Sequence, residues 1–259
     1  EQTKTGLAKW FLAIYLVTSS KGGIAATELQ RQMGFGSYQT AWSWLHKIRK
    51  AIGQRPIPRR DVGEADRVRP ERQKLSERVE ADETYLGGAK PGRPGRGAAG
   101  KTLLAGAVEA GRGKARGRRL GRLRLARLPD AGAASLEGFL AASVAKPAVV
   151  ATDGWAGYSG LPAKGYRHEP INLSASWGDA ALRLPAIHLV FGLAKRWLLG
   201  THHGAVGSKH LPAYLDEYVF RFNRRTAKSI SHRFARLVEQ AVATKPVTYR
   251  AIVARRAAA

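Results

Sequence analysis

The stretch that most constrains this chain is Val79–Gly88, VEADETYLGG, where strand-forming residues carry three carboxylates and stop at a Gly-Gly pair. Read as an extended strand, successive side chains alternate between faces. Glu80, Asp82 and Thr84 then share one side, and Val79, Ala81, Glu83 and Tyr85 the other. An unpaired buried carboxylate is costly, so strand-borne acids need a cation, a hydrogen-bond network or a catalytic task. On this stretch alone, a solvated edge strand and a metal site fit equally.

Two later segments shift the balance. Pro147 to Trp155, PAVVATDGW, is a short apolar run ending in an Asp-Gly turn, the way a buried strand delivers a carboxylate, Asp153, to a sheet's edge. Pro185 to Gly200 repeats apolar residues at helical spacing (Ile187, Val190, Phe191, Leu193, Ala194) and carries His188 near its start. An acid on a first strand, an acid ending a later strand and a polar ligand on a following helix make the layout of a ribonuclease-H-like nuclease core. Such chemistry uses two divalent ions about 3.5–4 Å apart that clamp the attacking and leaving oxygens of a phosphodiester, and hard cations of this kind need oxygen-rich ligation.

The strings VEADETYLGG, TDGWAGY, HLVFGLAKRWLLGTHHGAVGSKHLPAYLDEYVFRFNRR and TKTGLAKWFLAIYLVTSSKGGIAATELQRQMGFGSYQTAW closely resemble bacterial insertion-sequence transposases of the ISXO-like group. The resemblance runs over most of the chain. It implies a DDE-type transposase that uses Mg²⁺, or Mn²⁺, to cleave DNA strands and transfer them. Asp82 and Asp153 stand at the first two catalytic, metal-binding positions and His188 at the third, which in the wider family holds an acid or Asn. An imidazole brings no negative charge and is a softer donor than carboxylate, so such a site holds Mg²⁺ more weakly and favours Mn²⁺. Lys195 lies about two helical turns beyond His188 on the same helix face, next to Arg196, and the resemblance gives this pair a role on DNA phosphates. The implied partners are the double-stranded terminal repeats of the element and its target DNA. Two ends to recognise imply a homodimer. Members of the group usually carry an N-terminal zinc ribbon, so a chain beginning at Glu1 is expected to be a fragment or a truncated copy.

Charge agrees with a nucleic-acid partner. The formal charge of +25 calls for a polyanion. No apolar run approaches the roughly 20 residues that span a bilayer. With no cysteine there are no disulfides and no thiolate zinc site, and without a signal-peptide pattern a cytoplasmic, nucleoid-associated location is the default.

The expected fold class is α/β: a ribonuclease-H-like mixed sheet flanked by helices, preceded by an all-α helix-turn-helix domain. Residues 1–55 form that first domain. Lys9 to Val17 is a helix. Thr27 and Gln30 fit a capping box for a second one, and Gly34-Phe35-Gly36 turns into a third capped by Ser37. Ser37, Gln39, Thr40, Ser43 and Lys47 are the expected outward contacts to a DNA groove. Residues 56–77 are a basic linker, within a Pro- and Arg-rich stretch that starts at Gln54. Residues 78–228 are the catalytic domain, with Thr102–Glu109 and Leu120–Leu128 as the second and third strands. The Leu-Arg alternation of the latter puts leucines inward and arginines outward. Ala89–Lys101 is a cationic hairpin tip, Gly111–Arg119 a turn, Ala134–Val144 a crossing helix, and Tyr166-Arg167-His168 opens the last strand. Trp155 and Tyr158 are packing residues. Asp179 is a loop acid outside the site, His202 and His203 contact phosphate or solvent, and Asp216 and Glu217 are surface acids held in reserve as a third ligand. Residues 229–259 are a C-terminal helix with a frayed tail. Two rivals share these features: a catalytically inactive DNA-binding protein derived from a transposase, and a ribonuclease acting on RNA or hybrid duplexes.

Overall fold

A computed structural model describes residues 5–53, 74–87, 101–112, 118–171, 183–204 and 206–254. The proline-rich linker from Gln54, nearly all of the Ala89–Lys101 tip, the centre of the Gly111–Arg119 turn, Asp179 with its loop, and the last five residues lie outside them. The chain forms two compact units, Glu1–Arg67 with Asp216–Ala259, and Val68–Leu215. No helix among the described residues is long and apolar enough to cross a membrane.

In the first unit, α1 (Leu7–Ser19), α2 (Ala26–Met33) and α3 (Tyr38–Gly53) follow one another. Helix α2 starts one residue ahead of the expected cap, so Thr27 lies inside it and Ala25 is an N-cap without a side-chain bond. It stops at Gly34, whose φ of 63° is left-handed, with the Gly34 and Phe35 amides bonded back to carbonyls of the last turn. Ser37 then caps α3 as expected, its Oγ accepting the Thr40 amide at 3.2 Å. Trp10 stacks on Trp44 at 3.6 Å between ring centroids, and both pack into a core with Ala13, Ile14, Leu29, Leu45, Ile48 and Leu237.

The second unit holds a mixed sheet. Its strands are β1 (Arg78–Leu86), β2 (Thr102–Arg112), β3 (Arg118–Leu128), β4 (Val149–Thr152) and β5 (Arg167–Pro170), with α4 (Ala133–Ser143) between β3 and β4. The order is β3-β2-β1-β4-β5; β1, β2 and β3 form an antiparallel meander, and β4 and β5 run parallel to β1. This is the ribonuclease-H-like arrangement expected from the sequence. Helix α4 covers one face, where Val79, Ala81, Ala105 and Ala107 meet Leu136, Phe139 and Leu140. Helix α5 (Pro185–His202) covers the other. Leu123 and Leu125 of β3 lie on the α5 face and Arg122 and Arg124 on the α4 face, but these two arginines are not solvated as expected. Arg122 forks onto Glu109, while Arg124 is half-buried and desolvation lowers its pKa.

Helix α6 (Leu211–Asn223) begins in the second unit and ends in the first; α7 (Ile230–Val242) and α8 (Tyr249–Val253) share the unit of the N-terminal helices. Glu217 was expected at the surface. Instead it is 1 % exposed and accepts from Arg49 at 2.7 Å and from Arg221 at 2.9 Å. Arg221 in turn donates to the carbonyls of Val17 and Ser20 at the end of α1. The acid is committed to tying three helices together and is no reserve ligand.

Two substitutions probe this architecture. Glu217→Gln leaves Arg49, 2 % exposed, without its counter-charge, and removing one partner of a buried pair costs about 3–5 kcal/mol; the urea midpoint falls accordingly. Gly106 lies beneath α5, where a Cβ would meet Phe191 Cε1 at 2.6 Å and Ile187 Cδ1 at 2.8 Å. Both side chains are buried, so overpacking of about 1–3 kcal/mol outweighs the gain from replacing a strand glycine, which is under about 1 kcal/mol. Gly106→Ala therefore destabilises, and Phe191→Leu in the same chain recovers part of the loss.

Candidate functional site

The position of the two aspartates follows from strand register. Strands β1 and β4 pair in parallel through Arg78–Val149, Val79–Val150 and Glu80–Ala151. Two residues further along each strand stand Asp82 and Asp153, level with one another at the carboxyl ends, where open α/β sheets offer their crevice. Beyond Thr152 the chain turns. Gly154 takes φ 77°, its amide bonds Thr152 Oγ1 at 3.2 Å, and the Trp155 amide bonds Asp153 Oδ1 at 3.0 Å. The turn thus fixes Asp153 from both sides, and Thr152 Oγ1 is itself 2.9 Å from His168 Nε2.

Glu83 joins these aspartates. One carboxylate oxygen each from Asp82, Glu83 and Asp153 lie within 4.8 Å of one another. Alternation places Glu83 on the far face from Asp82, but the β1–β4 ladder has ended at this level, and a two-methylene side chain can reach round the strand. Tyr158, in the single helical turn after Asp153, donates its hydroxyl to Glu83 Oε2 at 2.8 Å. Burial first, and then the Glu83 charge, raise the Tyr158 pKa well above the ordinary tyrosine value, so the phenol keeps its proton and remains a donor.

The other face of β1 is matched to α5 at three points. Glu80, 5 % exposed, accepts the Ala186 and Ile187 amides at 2.7 and 3.1 Å and so caps the helix, whose own N-cap Leu184 provides no side-chain bond. Asp82 Oδ2 lies 3.6 Å from His188 Nε2. Thr84 Oγ1 accepts from Lys195 Nζ at 2.7 Å. The three residues expected on one strand face therefore all contact the helix.

The electrostatics suit a cation. Desolvation lowers the His188 pKa, against an upward pull from Asp153, and Lys195 lowers it further; the imidazole is neutral at pH 7. Its Nε2 is buried and has no hydrogen-bond partner among the described residues, which fits a nitrogen donor awaiting a ligand. Burial also lowers the Lys195 pKa, opposed by Asp82 and reinforced by Lys101. Three carboxylates this close repel one another and are hard oxygen donors suited to a divalent cation, while His188 lies beside Asp82 but is not one of the three.

The remaining sequence-derived residues are dispersed in role. Arg196 is exposed on α5; Gln39 and Thr40 are exposed on α3, and Lys47 is half-buried with its ammonium over the Trp10 ring. Ser37 is the α3 cap. Ser43 is a correction: it is 7 % exposed, because it falls on the packed side of a helix that buries most of its length after Tyr38–Thr40. His202 packs its ring between Trp197 and Tyr214, and His203 is the left-handed cap of α5. Sequence reasoning missed Glu80 as a helix cap, Glu83 as a member of the acid cluster and Tyr158 as its donor. The signal available was the grouping of three acids within four positions.

Residues 74–223 match the ISXO2-like transposase domain family. No curated protein matches the chain, and no solved structure does. The matched segment begins just before β1, ends with α6, and contains every side chain of the acid cluster and its surroundings. It covers more than half of the 259 residues, and on that ground the chain belongs to the ISXO2-like transposase family.

Proposed function

We propose that this transposase cleaves the ends of an insertion sequence and joins them to target DNA in a reaction dependent on Mg²⁺ or Mn²⁺. Asp82 and Asp153 are the carboxylate ligands and His188 is a neutral nitrogen donor. The observation that carries this reading is the convergence of Asp82 and Asp153, from adjacent parallel strands, into one cluster with oxygens within 4.8 Å. Bound divalent ions supply Lewis-acid activation of the attacking oxygen and stabilisation of the leaving oxygen.

The protein's part is to hold and orient. Asp82 is fixed by β1, Asp153 by its Asx turn and His188 by a helix capped on the same strand. Lys195, whose ammonium donates to Thr84 Oγ1 and feels the Asp82 charge, binds a phosphate flanking the scissile bond, and exposed Arg196 extends that contact along the backbone. Helices α2 and α3 act as a helix-turn-helix in which Gln39, Thr40 and Lys47 meet terminal-repeat DNA. Ser37 contributes by holding the helix start, and Ser43 is left out. The net charge of +25 makes binding steeply salt-dependent. Two element ends handled together call for a homodimer, and the DNA substrate places the protein at the nucleoid.

Two measurements test the reading. Asp82→Asn abolishes Mg²⁺- or Mn²⁺-dependent cleavage of terminal-repeat DNA while leaving DNA affinity within about twofold; retained cleavage refutes the assignment, and a wild-type chain that binds DNA but cleaves neither DNA nor hybrid duplex is a binding protein only. The double substitution Gln39→Ala, Lys47→Ala lowers affinity for the element ends by about 1–3 kcal/mol for each base no longer read and relaxes sequence preference. Undiminished affinity removes α3 from the groove.

A further inference from the structure

The turn that delivers Asp153 also presents a third carboxylate. From Asp153, the Trp155 amide closes onto Oδ1, the Tyr158 amide bonds the Trp155 carbonyl at 2.9 Å, and Tyr158 lands against Glu83. Space along this route is tight: a Cβ on Gly157 would lie 2.8 Å from Leu136 Cδ1 and 2.9 Å from the Ala131 carbonyl, so the turn is pressed onto the end of α4. The Trp155 indole donates to the same Ala131 carbonyl at 3.0 Å. Tyr158, 1 % exposed, has little freedom to place its hydroxyl elsewhere.

A carboxylate that accepts one phenol proton keeps lone pairs for another partner. Glu83 would otherwise follow the strand pleat away from Asp82. The hydrogen bond from Tyr158 holds its carboxylate at the strand end, with one oxygen inside the same 4.8 Å cluster as Asp82 and Asp153. We infer that Glu83 is a metal ligand of this site and that Tyr158 is the positioning residue that presents it. The inference rests on the metal-dependent function proposed above and extends it. A site whose third sequence position is an uncharged imidazole regains its third negative charge from the residue next to Asp82. This arrangement predicts tighter Mg²⁺ and Mn²⁺ binding than two aspartates and a histidine would give.

The test is direct binding of Mn²⁺ to the full chain without DNA, followed by electron paramagnetic resonance, each variant being measured well below its own unfolding midpoint. Glu83→Gln weakens Mn²⁺ binding at least ~10-fold, and Tyr158→Phe, which removes only the hydroxyl, weakens it ~10-fold, in the range for loss of a group that orients a ligand. The double variant is no weaker than Glu83→Gln alone, because Tyr158 acts through Glu83. Wild-type affinity in Glu83→Gln, with binding abolished in Asp82→Asn, overturns the inference and leaves the proposed function standing. A Tyr158→Phe loss that adds in full to that of Glu83→Gln shows a merely structural tyrosine and overturns its positioning role. Unchanged binding in Asp82→Asn overturns the metal site itself, a separate failure.

Discussion

The site depends on one buried carboxylate, Glu80, clasping the first turn of α5. A helix start exposes amides without intrahelical partners and carries a partial positive charge, and a carboxylate there satisfies both. Because the cap comes from the strand that bears Asp82, it fixes helix and strand in one register. The span from Glu80 to Thr84 is about 13 Å at the rise of a strand, and that from Ile187 to Lys195 about 12 Å at the rise of a helix. Contacts at both ends therefore fit a helix lying alongside β1, with His188 and Lys195 placed in consequence. Gly106, paired with Asp82 in the β1–β2 ladder, removes the side chain that would hold the helix away.

The acid cluster is unusual in a chain with 44 basic and 19 acidic residues. Several other carboxylates among the described residues close on arginines: Glu109 on Arg122, Glu217 on Arg49 and Arg221, Glu28 on Arg31. Those pairs lock elements together. Around Asp82 the neighbours are an imidazole drawn toward neutrality by desolvation and a lysine whose ammonium is engaged by Thr84. Three carboxylates gathered at one strand end repel one another, and a divalent cation offsets that repulsion.

Much of this was legible in the sequence. Period-2 alternation identified the Glu80, Asp82, Thr84 face, and the turn after Val149–Thr152 located Asp153. Helical periodicity set the buried side of α5, and the β-β-β-α-β order gave the sheet. What escaped has a common cause, tertiary contact between distant residues. The α5 cap lies on a strand about a hundred residues earlier, where no local capping pattern points to it. The pleat sends Glu83 to the α4 face, away from Asp82, and its place in the cluster depends on the end of the β1–β4 ladder and on a tyrosine from another strand's turn. Ser43 has the polarity of a surface residue, but the helices packed round α3 bury that side.

The alignment of Asp82 with Asp153 rests on little direct bonding. Strand β1 pairs with β2 over eight residues but with β4 over three. A slip of one residue between β1 and β4 would shift Asp153 by about 3.3 Å and exchange the faces of every β4 side chain. The ladder cannot resist this by hydrogen bonds alone, since a slipped parallel pair re-forms most of them. Resistance comes from burial. Ala148 and Val150 pack into the core beneath α4, and the β5 pairing together with the Thr152–His168 contact anchors the other side of the strand. In the slipped register Val150 would leave that core and Val149 would enter it. The geometry of the acid cluster thus inherits its accuracy from apolar side chains that lie outside it, and it holds only as long as the α4 face remains packed.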